Sequence, residues 1–295
     1  MELGSLAHKE LFCHSFLDSH LEYEPANLPW PILDEQSLER LRGIPFWQEA
    51  LMTEREAGVM VTAFAQTIED PLIREAIALQ GQEETRHARL VEFLIDHYQI
   101  KISEPLYPTV PPDIKTAFID FGFAECLDSF FAFGMFGIAR QAQYLPASMF
   151  NIFDPILYEE ARHIVFFINW VTYLQCQSGR SPLGRGIQAL WHYGRAIQKL
   201  LAAFGNVGNE DGEGQPFTAT KAGHFMDDLT PALFFDLTLQ ENEKRMAAFD
   251  PQLLRPLLLP RLSRLAQGGL GLWAKRPWGP KAQGITPSNS SSVKL

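Results

Sequence analysis

The chain has 295 residues, enough for one large domain or two small ones, and a 46% hydrophobic fraction that supports a sizeable core. It lacks 18 consecutive uncharged apolar residues and a basic-then-apolar leader, so neither a spanning helix nor a secretion signal is expected, and the cytoplasm is the expected location. Three scattered cysteines, Cys13, Cys126 and Cys176, suggest a reducing compartment and exclude a C-x-x-C metal or rubredoxin-type site, while the formal charge of −10 comes without a P-loop, a dinucleotide glycine fingerprint or any pointer to nucleic acid.

Residues 1–44 read as an extension packed on the body, extended around Pro25, Pro29, Trp30 and Pro31, with His14 and His20 in surface or packing roles. A first helix is expected over 46–69, with Met52, Val59, Met60, Ala63 and Phe64 at core spacing. The Asp70–Pro71 dipeptide stops it and starts a second helix over 71–98. Residues 101–112 contain Pro105, Pro108, Pro111 and Pro112. Extended at about 3.1 Å per residue, such a link reaches roughly 37 Å, the length of a whole helix of about 26 residues. A Phe-rich third helix is expected over 113–143, with Gly122, Gly134 and Gly137 inside it, and a fourth over 149–177. Glycine inside a helix costs about 1 kcal/mol relative to alanine, so these positions serve either close packing or, at Gly122, open space. Residues 182–205 and 222–249 read as further helices, separated by a flexible polar loop at 206–214. From Pro251 the chain carries seven Lys/Arg and no Asp or Glu, and Leu257, Leu258, Leu259, Leu262 and Leu265 alternate with Arg255, Arg261 and Arg264. That segment reads first as a last helix on the acidic body and second as a contact for an anionic membrane surface or an acidic partner. From 269 onward the tail is expected to be disordered.

Chemistry concentrates in a repeated pattern. Glu83, Glu84, Thr85, Arg86 and His87 are echoed by Glu159, Glu160, Ala161, Arg162 and His163. On a helix, residues three apart share a face, so Glu84 projects beside His87 and Glu160 beside His163. Each pair is half of a metal site, and two more helices should each add a carboxylate. Levels measured from a turn identify them. Glu84 lies about 13 residues past Asp70–Pro71, and Glu56 about 14 before it, with Glu54 as the alternative roughly 3 Å further along. Glu125 is level with Glu160 if the second turn falls near 142–143, close to the break at Tyr144, Leu145 and Pro146. Glu125 also sits among Phe121, Phe123, Phe130 and Phe131, where a lone buried carboxylate is costly without a cation or a proton.

The pattern Glu56, Glu84-x-x-His87, Glu125, Glu160-x-x-His163 resembles the ferritin-like di-iron carboxylate proteins over roughly residues 45 to 178. The resemblance implies an all-α fold: a ferritin-like four-helix bundle with a long crossover between its second and third helices. Here that bundle gains an N-terminal extension (1–44) and two to three extra helices (179–268). It implies two Fe ions, with Mn or a mixed Fe/Mn pair as the alternative. Glu84 and Glu160 match the bridging carboxylates, Glu56 and Glu125 the terminal ones, and His87 and His163 the single imidazole of each metal. Glu83 and Glu159 match acids that orient the ligand histidines, with Arg86 and Arg162 beside them. Ser129, one turn after Glu125, matches a hydroxyl that could relay protons. Met60, Phe121 and Gly122 are the expected substrate wall.

By this resemblance the chain is expected to be an O2-activating oxidase or oxygenase, hydroxylating a small, mostly apolar substrate. It would draw on an external electron donor such as a ferredoxin and its reductase, with a homodimer as one expected assembly. N-oxygenases of the family carry a further histidine four residues before the second bridging glutamate, where this chain has Ile156. Ferroxidase or iron handling, manganese catalase or peroxidase chemistry, and a metal-free helical binding module are the competing readings. His192 and His224 are outside candidates for extending the site.

Overall fold

The computed structural model describes residues 1–103, 107–205, 225–226 and 229–274. His224, the 206–214 loop and residues from 275 onward lie outside them; the tail is expected to be disordered from 269, but residues 269–274 continue the last helix, which ends at Ala274. Among the described residues the protein is all-helical. Nine α-helices are present and no strand: α1 Leu6–Leu17, α2 Glu35–Arg42, α3 Trp47–Ala65, α4 Pro71–His97, α5 Ile114–Gln141, α6 Ala147–Gln177, α7 Pro182–Gly205, α8 Pro231–Met246 and α9 Leu258–Ala274.

Helix boundaries follow cap chemistry. Asp70 caps α4 by accepting from the backbone N–H groups of Leu72 and Ile73, and Pro71 stands at the first helical position, where its missing N–H costs nothing. Asp113 caps α5 the same way from Thr116. Thr230 caps α8 from Leu233 ahead of Pro231, which is why that helix starts nine residues later than the apolar spacing from 222 suggested. Past the ends of α4 and α5, Gln99 and Gln143 take up φ of 51°, the left-handed conformation that closes a helix end.

Packing pairs α3 with α4 and α5 with α6, each antiparallel. Arg55 meets Glu92, Gly58 meets Thr85, and Gly81 meets Thr62 across the first pair. Gly122 meets Phe167 and Ser129 meets Glu160 across the second. A Cβ on Gly81 would lie 2.9 Å from the Thr62 backbone nitrogen, so only glycine lets α3 and α4 approach this closely. Gly134 and Gly137 serve the same end for α8, which lays Thr238 and Glu241 over them.

The core forms two apolar clusters. On α3 the changeover from one to the other falls between Leu51 and Met60, and on α4 between Ile77 and Ala88. Those intervals hold Glu54, Glu83, Glu84 and His87, so the acidic residues sit between two greasy layers. Helix α5 is the one described helix long and apolar enough to cross a membrane by length and composition, but 67% of that stretch is buried inside the protein, where it forms core.

The N-terminal extension is mixed, as expected: the stretch around Pro29, Trp30 and Pro31 is not helical, and α1 and α2 lie on either side of it. Helix α1 buries His8, Phe12, Cys13 and Phe16. His8 is bound by Asn169 of α6 at 3.1 Å.

Candidate metal centre

Five of the six expected ligands converge as their spacing predicted. Glu84 and His87 come from α4, Glu125 from α5, and Glu160 and His163 from α6. Their atoms form two groups: Glu54, Glu84, His87 and Glu160, and Glu84, Glu125, Glu160 and His163, each with ligand atoms within 4.8 Å of one another. Glu84 and Glu160 belong to both groups, so they could bridge two cations.

The sixth position is a correction. Glu54 joins the cluster, and Glu56 is exposed on the opposite side of α3. Two residues on a helix differ by about 200° in direction, so only one of the two can face inward. α3 stops at Ala65 rather than 69, and a five-residue link carries the chain to Pro71. The observed register, with Gly58 against Thr85 and Thr62 against Gly81, puts Val59 level with Glu84, so height along α3 does not choose between the two glutamates; the direction each faces does.

Both imidazoles are fully buried and identically posed. His87 turns Nδ1 toward Glu54 (3.4 Å), Glu84 (3.7 Å) and Glu160 (3.3 Å). His163 turns Nδ1 toward Glu84 and Glu125, both at 3.2 Å, and Glu160 at 3.8 Å. On the far side of each ring, Nε2 meets a carboxylate of the opposite helix: His87 reaches Glu159 at 2.8 Å and His163 reaches Glu83 at 2.9 Å. Each of these acids also accepts from an arginine: Arg86 to Glu159 at 2.5 Å, Arg162 to Glu83 at 2.7 Å. A carboxylate paired with a guanidinium accepts rather than donates, which places a proton on each Nε2 and directs each Nδ1 lone pair inward once its own proton leaves. The pairing is crossed between α4 and α6, so each repeat of the sequence motif orients the histidine of the other.

Residues that sequence reasoning overlooked complete this layer. Tyr23 donates to Glu159 (3.1 Å), and its ring lies under Arg86 at 4.3 Å. Arg162 donates to the Phe16 carbonyl and to Ser19 Oγ (2.9 Å), and lies 4.4 Å from the Phe16 ring. The extension therefore seals the ligand-orienting pairs from outside. Gln80, one turn before Glu84, donates to it at 3.2 Å. The only signal for Tyr23 or Ser19 was their nearness to the body; contacts spanning well over a hundred residues, such as Tyr23–Glu159, leave no local pattern.

Electrostatics follow from burial and crowding. Burial opposes charge on His87, but Glu159, Glu160, Glu54 and Glu84 outweigh it and hold its pKa well above the usual value; His163 behaves likewise. Burial together with Glu84 pushes the Glu125 carboxyl well up, and burial with Glu160 and Glu84 pushes Glu54 up to about 7 despite His87. Burial works against Glu84 and Glu160 as well, yet the histidines win and hold both below the ordinary carboxylate value. Without a metal, the cluster is thus neutralised by protons.

The donor set fits a pair of divalent cations. Four carboxylates and two imidazoles offer four negative charges to four positive ones, in oxygen-rich surroundings suited to Fe or Mn. Among the described residues, His87 Nδ1, which faces Glu54, Glu84 and Glu160, and Glu125 Oε2 are buried and make no hydrogen bond. Such orphaned atoms are costly unless something accepts them.

The remaining expected site residues are placed as follows. Ser129 is buried and its hydroxyl donates to Glu160 at 3.3 Å. Met60 is core, Phe121 is half-buried, and the space beside Gly122 is filled by the Phe167 ring, which a Cβ there would strike at 2.2 Å. Gly122 therefore serves helix packing and does not open a substrate pocket. His192 lies outside both ligand groups, bonded to Asp120 at 3.1 Å and stacked on Phe123. Comparison of the chain with protein-family models, with curated proteins and with solved structures finds no match.

Proposed function

We propose that the chain is a ferritin-like di-iron carboxylate protein that activates O2 to oxidise, most simply to hydroxylate, a small apolar substrate. One observation carries the reading: two buried imidazoles present Nδ1 to a shared set of four carboxylates while crossed Glu–Arg pairs hold both Nε2 atoms. A merely structural ion-pair cluster has no need for two symmetric nitrogens turned away from their arginine-held partners. Glu84 and Glu160 would bridge, Glu54 and Glu125 would hold one metal each, and His87 and His163 would complete the two coordination spheres. The metals would supply electrons to O2. Glu83 and Glu159 fix the imidazole tautomer, Ser129 is positioned to hold or pass a proton at Glu160 Oε2, and the phenylalanines of α5 exclude water. An external electron donor would restore the reduced state.

The Phe167 ring beside Gly122 favours a second reading in which the reactant is very small: ferrous iron itself, or peroxide on manganese. Metal analysis and oxygen uptake separate them. We expect two metal ions per chain, lost in Glu84→Ala and Glu160→Ala, halved in Glu54→Ala and unchanged in Glu56→Ala. Reduced, iron-loaded protein should consume O2 in step with oxidation of an added apolar probe. Sub-stoichiometric metal in all variants would overturn the reading; oxygen uptake coupled only to added ferrous iron would select ferroxidase chemistry, and peroxide dismutation by the manganese form would select the catalase.

A further inference from the structure

The outer face of α7 is rich in exposed apolar side chains. Leu183, Ile187, Leu190 and Trp191 are 75%, 61%, 57% and 55% exposed. Their spacing of four, three and one residues puts them on a single stripe. Gly186 and Gly194 extend it, with no neighbouring atom within 4 Å of a Cβ at either. The stripe is separate from the side that packs on the body, where Tyr193 and Ala196 are buried. Contiguous exposed patches of this kind mark interaction sites.

Charge says what covers it. The formal charge of the chain is −10, yet no Asp or Glu occurs from Ala161 through Asn209. Around the stripe stand Arg180 and Lys199, both exposed, and Arg195, whose guanidinium lies 4.8 Å from the Trp191 ring. A second copy packed face to face would set Arg180 and Lys199 against their own kind, because a two-fold interface contacts itself. An apolar stripe with a tryptophan, bordered by Arg180, Lys199 and Arg195, of which, among the described residues, only Arg195 is paired, with Asp120 of α5 at 3.0 Å, matches a helix lying in the headgroup region of an anionic bilayer. The segment after Pro251 has the same character, with Leu262 and Leu265 exposed beside Arg261 and Arg264.

We propose that α7 is an interfacial membrane-docking helix, with Leu183, Ile187, Leu190 and Trp191 entering the surface of an anionic bilayer and Arg180 and Lys199 meeting its headgroups. This holds whether or not the metal reading does, since none of these residues approaches the ligand cluster.

The test uses the full chain and sedimented lipid vesicles, either phosphatidylcholine alone or with about 30 mol% phosphatidylglycerol, at about 50 mM and about 500 mM salt. The wild type should partition at least about tenfold more onto the anionic vesicles, with the excess falling at high salt. Ile187→Glu with Leu190→Glu should lower binding about tenfold or more while the helical circular dichroism and the metal content stay unchanged. Arg180→Glu with Lys199→Glu should abolish the preference for phosphatidylglycerol. Trp191→Phe should still bind but lose the blue shift of tryptophan emission seen on adding vesicles. Absence of wild-type binding to either vesicle overturns the proposal. So does a wild-type dimer in light scattering that Ile187→Glu with Leu190→Glu makes monomeric without changing vesicle binding; that outcome would assign the face to a second copy.

Discussion

The crossed orienting pairs make a prediction specific to one metal at a time. In Glu83→Gln the carboxylate that accepts from both His163 Nε2 (2.9 Å) and Arg162 (2.7 Å) becomes an amide. The amide oxygen will stay with the guanidinium, which leaves the NH2 group facing Nε2. That nitrogen must then accept rather than donate, and the ring proton moves to Nδ1, the atom meant for metal. Loss of such an orienting partner ordinarily lowers metal affinity by about 10–100-fold, or about 1.4–2.7 kcal/mol. The effect should fall on the group of Glu84, Glu125, Glu160 and His163 and spare the group containing His87. Stability also drops, because Arg162 is 1% exposed and loses a charged partner. The full cost of stranding a buried charge is about 3–5 kcal/mol, but Arg162 keeps Ser19 Oγ and the Phe16 carbonyl, so about 1–3 kcal/mol is expected. Stepwise metal titration against a competing chelator reads the affinity, and thermal unfolding of the metal-free protein reads the stability. Glu159→Gln should produce the mirror image, weakening the metal at His87. Two equal, wild-type affinities in Glu83→Gln, or the same site weakened in both variants, would refute the crossed arrangement.

Two further expectations rest on packing and on protons. Gly81→Ala would press a methyl within 2.9 Å of the Thr62 backbone nitrogen, so α3 must move away from α4; a loss of about 1–3 kcal/mol is expected, along with weaker metal binding through the displaced Glu54, and unchanged unfolding would contradict the close crossing. In the metal-free protein, His87, His163, Glu125 and Glu54 all hold protons more tightly than in the unfolded chain, Glu54 with its pKa at about 7. Above the unfolded histidine value the folded state therefore binds the excess protons, and each one retained makes stability fall by about 1.4 kcal/mol per pH unit as pH rises. Glu84 and Glu160 are held below the usual carboxylate value and are already ionised in both states over this range, so they add no slope. The melting temperature of the metal-free protein should drop between about pH 6 and 8, and that of the metal-loaded protein should stay nearly level because the metals have replaced the protons. Equal slopes for the two forms would contradict proton neutralisation of the empty cluster.

What was legible in the sequence was whatever repeats with a helical period. Glu84 with His87 and Glu160 with His163 declared themselves because three residues make nearly one turn, and Glu83 and Glu159 followed as their neighbours. Position along a helix was legible only as well as the turns were. Asp70–Pro71 marks the true start of α4, but height along α3 does not separate Glu54 from Glu56; which of them faces α4 is set by tertiary packing, as where Gly58 meets Thr85, and that leaves no local signal. Glycine was legible as a cost without a beneficiary: Gly122 could have made room for a substrate or for a neighbour, and only the arrival of Phe167 from α6 decides it.

The N-terminal extension was illegible for a deeper reason, and it bears on how the centre is built. Its contribution is made by groups with no chemical signature of their own, a tyrosine, a serine and a main-chain carbonyl, which act by satisfying Arg86 and Arg162. Those arginines hold Glu159 and Glu83, which hold the histidines. The chain of dependence thus runs from residues 16–23, through two buried ion pairs, to the two nitrogens that face the ligand cluster. Buried ion pairs are poor sources of stability but strict setters of geometry when every donor is matched. Removing the extension should therefore cost metal affinity beyond what its own packing explains, because the arginines would be left to water and the two Nε2 partners would lose their fixed positions.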